Sequence, residues 1–348
     1  HKYKNPMMDY TPCFDAAAEK FRWNERWKGW TTPSRVEGSK SYGVGFSVHS
    51  SGDPQSDETF AYVRLENDQV MVHCVIAECG NGQRLGVAKV AAEVLNVPLE
   101  RVTVVAADNG VNPADFGLAG SRGTITAGAA VGRAAQAAKE KLFEEASHIM
   151  HCSPEELDTK DLMVFKKDDP SVSIPWIQIC PLYYSITGTG MIEGDFNHNN
   201  CVLNFVEVEV DRDTGLVKLT DLLSASDVGQ VVNPIELKMQ FEGGLGSAGM
   251  DTAQLEGHVL DPRIGRIMTH NMIDYKWRPF NELPTFNTVT LETPFDTGHP
   301  FHAIGIGEIT GAAGPAAILM AVENALGGIE INEYPVTPDV ILKALGKA

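Results

Sequence analysis

The sequence lacks the long apolar runs of a membrane protein. No run of eighteen apolar residues occurs, and the first twenty residues do not resemble a signal peptide. Basic residues are also few, since 28 Lys and Arg stand against 46 Asp and Glu, giving a net charge of −18. This acidic excess argues against nucleic acid or an anionic membrane as the main partner. We therefore expect a cytoplasmic protein with neither kind of partner.

Cysteine is scarce and scattered. The six cysteines include no C-x-x-C pair, which argues against a disulfide framework, a zinc site or an iron–sulfur cluster in this chain. The histidines also lack the spacing of metal ligands. We therefore expect reduced thiols, and histidines that are solvated or buried in the core.

What is present predicts an α+β fold. Alternating apolar residues predict antiparallel hairpins at 60–76 and 202–225, and helical spacing predicts long helices at 127–149 and 315–326. The length of 348 residues suits two α/β lobes. We predict a connector or docking segment at 1–40, a first lobe at 41–195 and a second lobe at 196–348.

Two glycine-rich loops precede predicted helices in the first lobe. They are residues 78–83 (E-C-G-N-G-Q) and 120–124 (G-S-R-G-T). Free amides at a helix start can bind an anion, often a phosphate. An ordinary turn is an equally good interpretation of the first loop, which matches neither the dinucleotide fingerprint nor the P-loop. Arg122 could add positive charge, although an exposed arginine is commoner.

A further glycine-rich stretch near the end of the chain carries one carboxylate. Residues 304–315 read I-G-I-G-E-I-T-G-A-A-G-P, so Glu308 lies just before the predicted helix at 315–326. The glycines allow another group to approach the backbone closely. On this stretch alone, Glu308 either stabilises the positive end of the helix or has a functional role.

The order of these features resembles a known family. Over roughly residues 40–348, the chain resembles the C-terminal half of the molybdenum-cofactor-binding portion of the xanthine oxidase (molybdenum hydroxylase) family. The matching motifs are residues 78–82 (E-C-G-N-G for the family's E-M-G-Q-G), 120–124 (G-S-R-x-T), 209–217 (E-V-D-x-x-T-G-x-V), 227–234 (D-x-G-x-x-x-N-P), 240–244 (Q-x-E-G-G) and 305–308 (G-x-G-E). Each is weak alone, but together and in order they are specific.

The resemblance implies a set of site residues. Glu308 matches the family's catalytic general base. Residues matching the cofactor loops are Cys79, Gly80, Asn81, Gly82, Gln83, Ala119, Gly120, Ser121, Arg122, Gly123, Thr124, Ser247, Gly305 and Gly307, with the Gly120 backbone placed near the metal. Phe46, Ser47 and His49 match a strand near the substrate. Asn81 replaces the usual glutamine, and Ser247 falls near another, so cofactor contacts there are expected to differ.

The resemblance also implies the chemistry and the partners. It implies a molybdenum-dependent hydroxylase that inserts water-derived oxygen at an electrophilic carbon of a small substrate, with hydride transfer to molybdenum. The substrate would be N-heteroaromatic, nicotinate- or purine-like. The expected cofactor is molybdopterin, in its cytosine dinucleotide form, carrying Mo; [2Fe-2S] clusters and FAD are expected on partner subunits.

The family's upstream G-G-F-G-G-K loop is missing from these 348 residues. We therefore expect a split enzyme in which a larger molybdopterin subunit completes the site, as in nicotinate dehydrogenase with its medium molybdopterin subunit. Two alternatives stay open. The chain could be a non-catalytic scaffold subunit, or it could belong to an enzyme acting on aldehydes, carbon monoxide or aryl-CoA.

Overall fold

The computed structural model describes residues 9–51, 58–106, 108–112, 115, 117–181, 184–192, 200–294 and 298–348. The helices are α1 Thr11–Phe21, α2 Trp23–Arg26, α3 Gln83–Leu95, α4 Gly128–Met150, α5 Trp176–Ile179, α6 Pro234–Gly243, α7 Met250–Gln254, α8 Ile309–Ala312, α9 Gly314–Ala325 and α10 Pro338–Ala344. The strands are β1 Arg35–Glu37, β2 Lys40–Ser51, β3 Thr59–Glu66, β4 Gln69–Cys74, β5 Val102–Val105, β6 Leu157–Lys160, β7 Met163–Lys166, β8 Ser173–Pro175, β9 Ser185–Ile192, β10 Asn200–Asp211, β11 Val217–Asp227 and β12 Phe286–Leu291. This mixture of helices and mainly antiparallel strands confirms the α+β prediction.

The larger sheet has the order β1-β2-β10-β11-β12 and is covered on both faces. Helix α9 packs on one face, so closely that a Cβ on Gly43 would lie 2.1 Å from the Ala321 carbonyl oxygen. Helix α1 covers the other face, where Phe21 packs against Phe205 of β10 with ring centroids 5.5 Å apart. The sheet therefore forms the middle layer of three.

The second sheet has the order β5-β4-β3-β9, and helices α3 and α4 pack on one of its faces. Here Gly188 and Gly190 of β9 allow the backbone of α4 to approach closely. A small sheet, β6-β7-β8, follows α4 and is joined to α5 by the hydrogen bond from the Trp176 indole N–H to the Thr159 hydroxyl, 3.0 Å. In the described part of the chain, no helix is both long and apolar enough to cross a membrane.

The sheets cross the predicted lobe boundaries. Strand β2, placed in the first lobe, pairs along its whole length with β10 and so belongs to the larger sheet. The segment 1–40 also contributes to the core, because Cys13, Ala17 and Phe21 of α1 are buried against that sheet. The connector interpretation missed this packing because the segment has no clear hydrophobic period. The division into lobes and the docking role stay predictions.

Candidate functional site

Four loops surround a groove of about 470 Å³, and each loop leads into a helix. The loops are residues 79–83 before α3, 118–124 before α4, 228–233 before α6 and 303–308 before α8. Glycine is frequent in them, so backbone atoms form much of the wall. Apolar side chains such as Val87, Leu118 and Ile306 complete the wall, and a groove of this size with apolar walls and a few polar groups suits a small organic ligand.

Glu308 joins two of these loops. Its carboxylate Oε2 accepts a hydrogen bond of 3.0 Å from the Gly120 N–H, and its own N–H donates to the Ser121 hydroxyl at 2.9 Å. The loops also touch at Gly305, where a Cβ would lie only 1.8 Å from the Ser121 carbonyl oxygen. Glu308 is exposed at the groove. The structure therefore places an accessible carboxylate beside the second glycine-rich loop.

The first glycine-rich loop is closed by its own acidic residue. The Glu78 carboxylate accepts hydrogen bonds from the backbone N–H groups of Gly80, Gly82 and Arg84, at 2.9, 3.0 and 3.2 Å. Gly80 and Gly82 adopt positive φ angles, 92° and 72°, which aim these amides at one acceptor. Desolvation alone would raise the pKa of Glu78, but the backbone donors together hold that pKa below its ordinary value of 4.5. These three amides are thus engaged within the loop, which favours the ordinary turn over the anion loop, and cofactor contacts by residues 79–83 stay a prediction.

Arg122 is a buried structural residue. Its guanidinium donates to Asp115 at 3.2 Å, to the Gly117 carbonyl at 2.7 Å and to the Thr59 hydroxyl at 2.6 Å. The side chains of Arg122 and Asp115 are only 1% and 3% exposed. The commoner interpretation of Arg122 as an exposed arginine is therefore wrong, and its charge is paired with that of Asp115. The ion pair instead anchors the loop that carries Gly120 and Ser121.

Helix α6 presents polar side chains to the groove that the sequence interpretation left out of the site. Asn233 precedes the helix, and Glu236 and Gln240 lie on the same face one turn apart. The Asn233 Nδ2 and Glu236 Oε2 atoms are buried and have no hydrogen-bond partner among the described residues, and the same holds for Asn81 Oδ1 across the groove. Buried polar atoms are normally paired, so these donors and acceptors fit a polar ligand.

His299 supplies another part of the wall. Its Nδ1 accepts the Phe301 N–H at 3.1 Å, which assigns the proton of the neutral ring to Nε2. Burial, and then the charge of His302, lower the pKa of His299 from 6.5 to about 4. The ring is therefore neutral at pH 7. A Cβ on Gly128 would lie 2.4 Å from Nε2, so α4 begins with a glycine at the closest approach.

The structure brings most of the predicted site residues together. Those lining the groove are Cys79, Gly80, Asn81, Gly82, Gln83, Ala119, Ser121, Arg122, Gly123, Thr124, Gly305, Gly307 and Glu308. Gly120 lies beside them, bonded to Glu308. Ser247 does not line the groove: it is exposed in the π-helical turn 244–249, beyond the point where Thr310 packs on Gly244.

The three predicted substrate residues lie elsewhere. The Phe46 ring packs against Phe14 and Phe205, with centroids 5.3 and 4.9 Å apart, because its face of β2 is covered by α1. Ser47 donates to the Ala313 carbonyl at 2.7 Å, and His49 pairs with Val202 in the sheet. None of the three lines the groove, and their assignment as substrate residues stays a prediction.

The described residues do not form a metal site by themselves. No group of three or more His, Cys, Asp or Glu side chains in the described ranges could hold a metal ion. A metal at this groove would therefore need ligands supplied by a bound organic group or by another chain. The buried polar atoms without a hydrogen-bond partner, on Asn81, Asn233 and Glu236, suit an organic group with both hydrogen-bond donors and acceptors.

Comparison with known sequences identifies relatives of the whole chain. The model of the "Molybdopterin cofactor-binding domain" family matches residues 16–284. The molybdenum-binding subunit of aldehyde oxidoreductase from Escherichia coli K12 is 28% identical over 96% of this chain and 44% of its own length. The large subunit of nicotine 6-hydroxylase from Paenarthrobacter nicotinovorans is 27% identical over 97% of this chain and 42% of its own. The chain thus spans less than half the length of these relatives.

Solved structures share the fold. Quinoline 2-oxidoreductase from Pseudomonas putida 86 superposes with a TM-score of 0.83 at 24% identity, covering 97% of this chain and 46% of the other. The CO dehydrogenase of Oligotropha carboxidovorans gives a TM-score of 0.80 at 21% identity, covering 98% and 44%. At this identity the likeness establishes the fold alone.

Proposed function

The chain belongs to the molybdopterin cofactor-binding domain family, and on this premise we propose that the groove holds molybdopterin in a hydroxylase or dehydrogenase complex of the xanthine oxidase type. The observation that carries the proposal is the convergence of four backbone-rich loops on one groove with unpaired buried polar atoms. A pterin offers N–H donors and carbonyl and ring-nitrogen acceptors, which suit Asn81, Asn233, Glu236 and the Gln240 amide.

Glu308 is the proposed general base. When bound, the molybdenum cofactor supplies two-electron oxidation with oxygen taken from water. Glu308 contributes a carboxylate that is exposed to the groove and held at Oε2 by the Gly120 N–H. That bond leaves Oε1 to accept a proton and fixes the direction from which it does so. A base in this position contributes about 10²- to 10⁴-fold to a rate.

The proposed substrate is a small N-heteroaromatic compound, nicotinate- or purine-like. This choice is supported by three relatives whose names refer to nicotine, xanthine and hypoxanthine. An aldehyde is the competing choice, because another relative is an aldehyde oxidoreductase subunit. The residues of this chain do not separate these substrates, since none of the three predicted substrate residues reaches the groove.

The remaining proposals concern the assembly. The other half of the molybdenum site would come from a larger molybdopterin subunit, corresponding to the part of the relatives' polypeptide that this chain does not span, in an arrangement like that of nicotinate dehydrogenase. One relative is a subunit of the 6-hydroxypseudooxynicotine dehydrogenase complex, which supports a multi-subunit enzyme. Iron–sulfur and flavin subunits, and the cytosine dinucleotide form of the cofactor, complete the proposal.

The test is metal and pterin analysis of the complex purified from its native host. We expect molybdenum and pterin in about equal amounts, each close to one per chain. A Gln240→Leu variant should retain less of both, because Gln240 lines the groove, whereas Met239→Leu on the exposed side of α6 should retain them fully. A complex with neither molybdenum nor pterin would reject the proposed function.

A further inference from the structure

Exposed apolar side chains are concentrated in one segment, residues 255–285, between α7 and β12. Ten of the twenty-three large apolar side chains exposed in the described structure lie in it. Ile273 and Phe280 are 79% and 89% exposed. Soluble proteins rarely expose apolar side chains so densely, and such patches mark interaction sites. The segment is therefore expected to be covered in the assembled protein.

The segment is held in place although it has little regular structure. The segment lies wholly within the described range 200–294, and its only secondary structure there is the bridge between Leu260 and Ile267 and a short 3-10 turn at Phe280–Glu282. Arg278 ties it to α7, because its backbone N–H donates to Asp251 at 3.1 Å and its guanidinium donates to Gln254. A loop of this length without structure of its own is uncommon unless it is functional. Anchored in this way, it presents a preformed surface.

The charge of the segment distinguishes it from the rest of the chain. Residues 255–285 carry four basic and four acidic side chains, so the whole net charge of −18 lies outside them. A neutral apolar surface suits a protein partner. A second copy of the same chain is disfavoured, because it would bring two molecules of −18 together.

The segment is also continuous with the rim of the groove. Phe286, where β12 begins, packs in one cluster with Leu237 of α6, which lines the groove. On the same helix Ile235 and Met239 are exposed. The C-terminal end of the segment therefore lies next to a residue that packs with the groove-lining helix α6. The relatives contain a candidate partner, since more than half of their length lies outside the stretch that this chain matches.

We infer that residues 255–285 are the docking surface for the part of the molybdopterin-binding polypeptide that this chain does not span. A segment of 31 residues matches the roughly 20–30 residues that each side contributes to a standard interface. The inference rests on the proposed completion of the groove by that part of the polypeptide. The partner to be used in the experiment is the polypeptide whose sequence matches the part of the relatives that this chain does not cover.

The test compares hydrogen–deuterium exchange in the isolated chain and in the assembly containing the remaining half. We expect amides of 255–285 to exchange at least tenfold more slowly in the assembly. The paired change Ile273→Asp and Phe280→Asp should weaken association at least 100-fold. The control pair Ile177→Asp and Leu216→Asp, at positions 52% and 61% exposed elsewhere, should not. Because all four side chains are exposed, both pairs should keep the unfolding midpoint of the wild type.

Two results would overturn the inference. One is fast exchange of 255–285 in the assembly together with unchanged affinity of the patch variant. The other is a concentration-dependent dimer of the isolated chain that the patch variant abolishes, which would make a second copy the occupant. If the patch variant does not fold, the exchange comparison on the wild type decides. Molybdenum and pterin content, measured on the same assembly, tests the proposed function separately from docking.

Discussion

Gly305→Ala is expected to separate the two loops that hold Glu308. The added Cβ would lie 1.8 Å from the Ser121 carbonyl oxygen, and ordinary contact begins at 3.4 Å, so one loop must move by about 1.6 Å. The two hydrogen bonds between the loops, of 3.0 and 2.9 Å at Glu308, would not survive that movement. The Asn200 amide, which donates to the Gly305 carbonyl at 2.8 Å, restrains the loop that carries Gly305.

The expected loss of stability follows from these contacts. Overpacking costs about 1–3 kcal/mol, and two lost hydrogen bonds add about 1–3 kcal/mol. Replacing glycine by alanine also restricts the unfolded chain, which stabilises the folded state by about 0.4–1 kcal/mol and offsets part of the loss. The free energy of unfolding should therefore fall by about 3 kcal/mol, within limits of about 1 and about 6 kcal/mol.

Gly307→Ala is the matched control. Its added Cβ would meet only the Gln240 Oε1 atom, at 3.5 Å, an ordinary contact. Urea unfolding of both variants, read as a change of midpoint at unchanged slope, measures the difference. Equal stability of Gly305→Ala and Gly307→Ala would refute the close contact between the loops.

Two further predictions concern the loops around the groove. Arg122→Met should lower the free energy of unfolding by about 3–5 kcal/mol, because it leaves Asp115 buried without its cation. The double variant Arg122→Met with Asp115→Leu should recover most of that loss. Equal urea midpoints for the single and double variants would contradict this prediction. Glu78→Gln should be less stable than the wild type at pH 7. Because folding lowers the pKa of Glu78 below 4.5, its contribution is complete above that value and is lost as the pH falls through the folded pKa. The stability gap should therefore shrink as the pH falls below 4.5, and a gap independent of pH would count against the Glu78 loop contacts.

The sequence predicts best what depends on local pattern. Both hairpins follow from alternating apolar residues and appear as β3–β4 and β10–β11. The helix after Glu308 follows from its alanine-rich spacing. The glycine-rich loops were also placed correctly next to helix starts, because glycine marks the positions where backbone must turn sharply or approach closely.

What the sequence does not predict depends on contacts between distant residues. The burial of Arg122 requires Thr59, 63 positions away, and could not be read from its own loop. The alternation of β2 shows that Phe46 and Ser47 face opposite sides of the sheet, but only the tertiary structure shows that α1 covers the Phe46 side.

Other features could have been found from spacing. Glu236 and Gln240 are four residues apart, which places them on one helical face directly after a recognised turn. Glu78 stands two to six residues before the amides it binds, a typical position for an acidic side chain that closes its own loop.

The most direct test of the account is the turnover of a Glu308→Gln variant of the assembled complex, measured at a known content of molybdenum and pterin. The amide oxygen of glutamine can still accept the Gly120 N–H, so the loops and the cofactor content should be unchanged. We predict turnover about 10²- to 10⁴-fold below that of the wild type. Wild-type turnover in a fully loaded Glu308→Gln complex would contradict the role of this chain in catalysis and would favour a scaffold subunit.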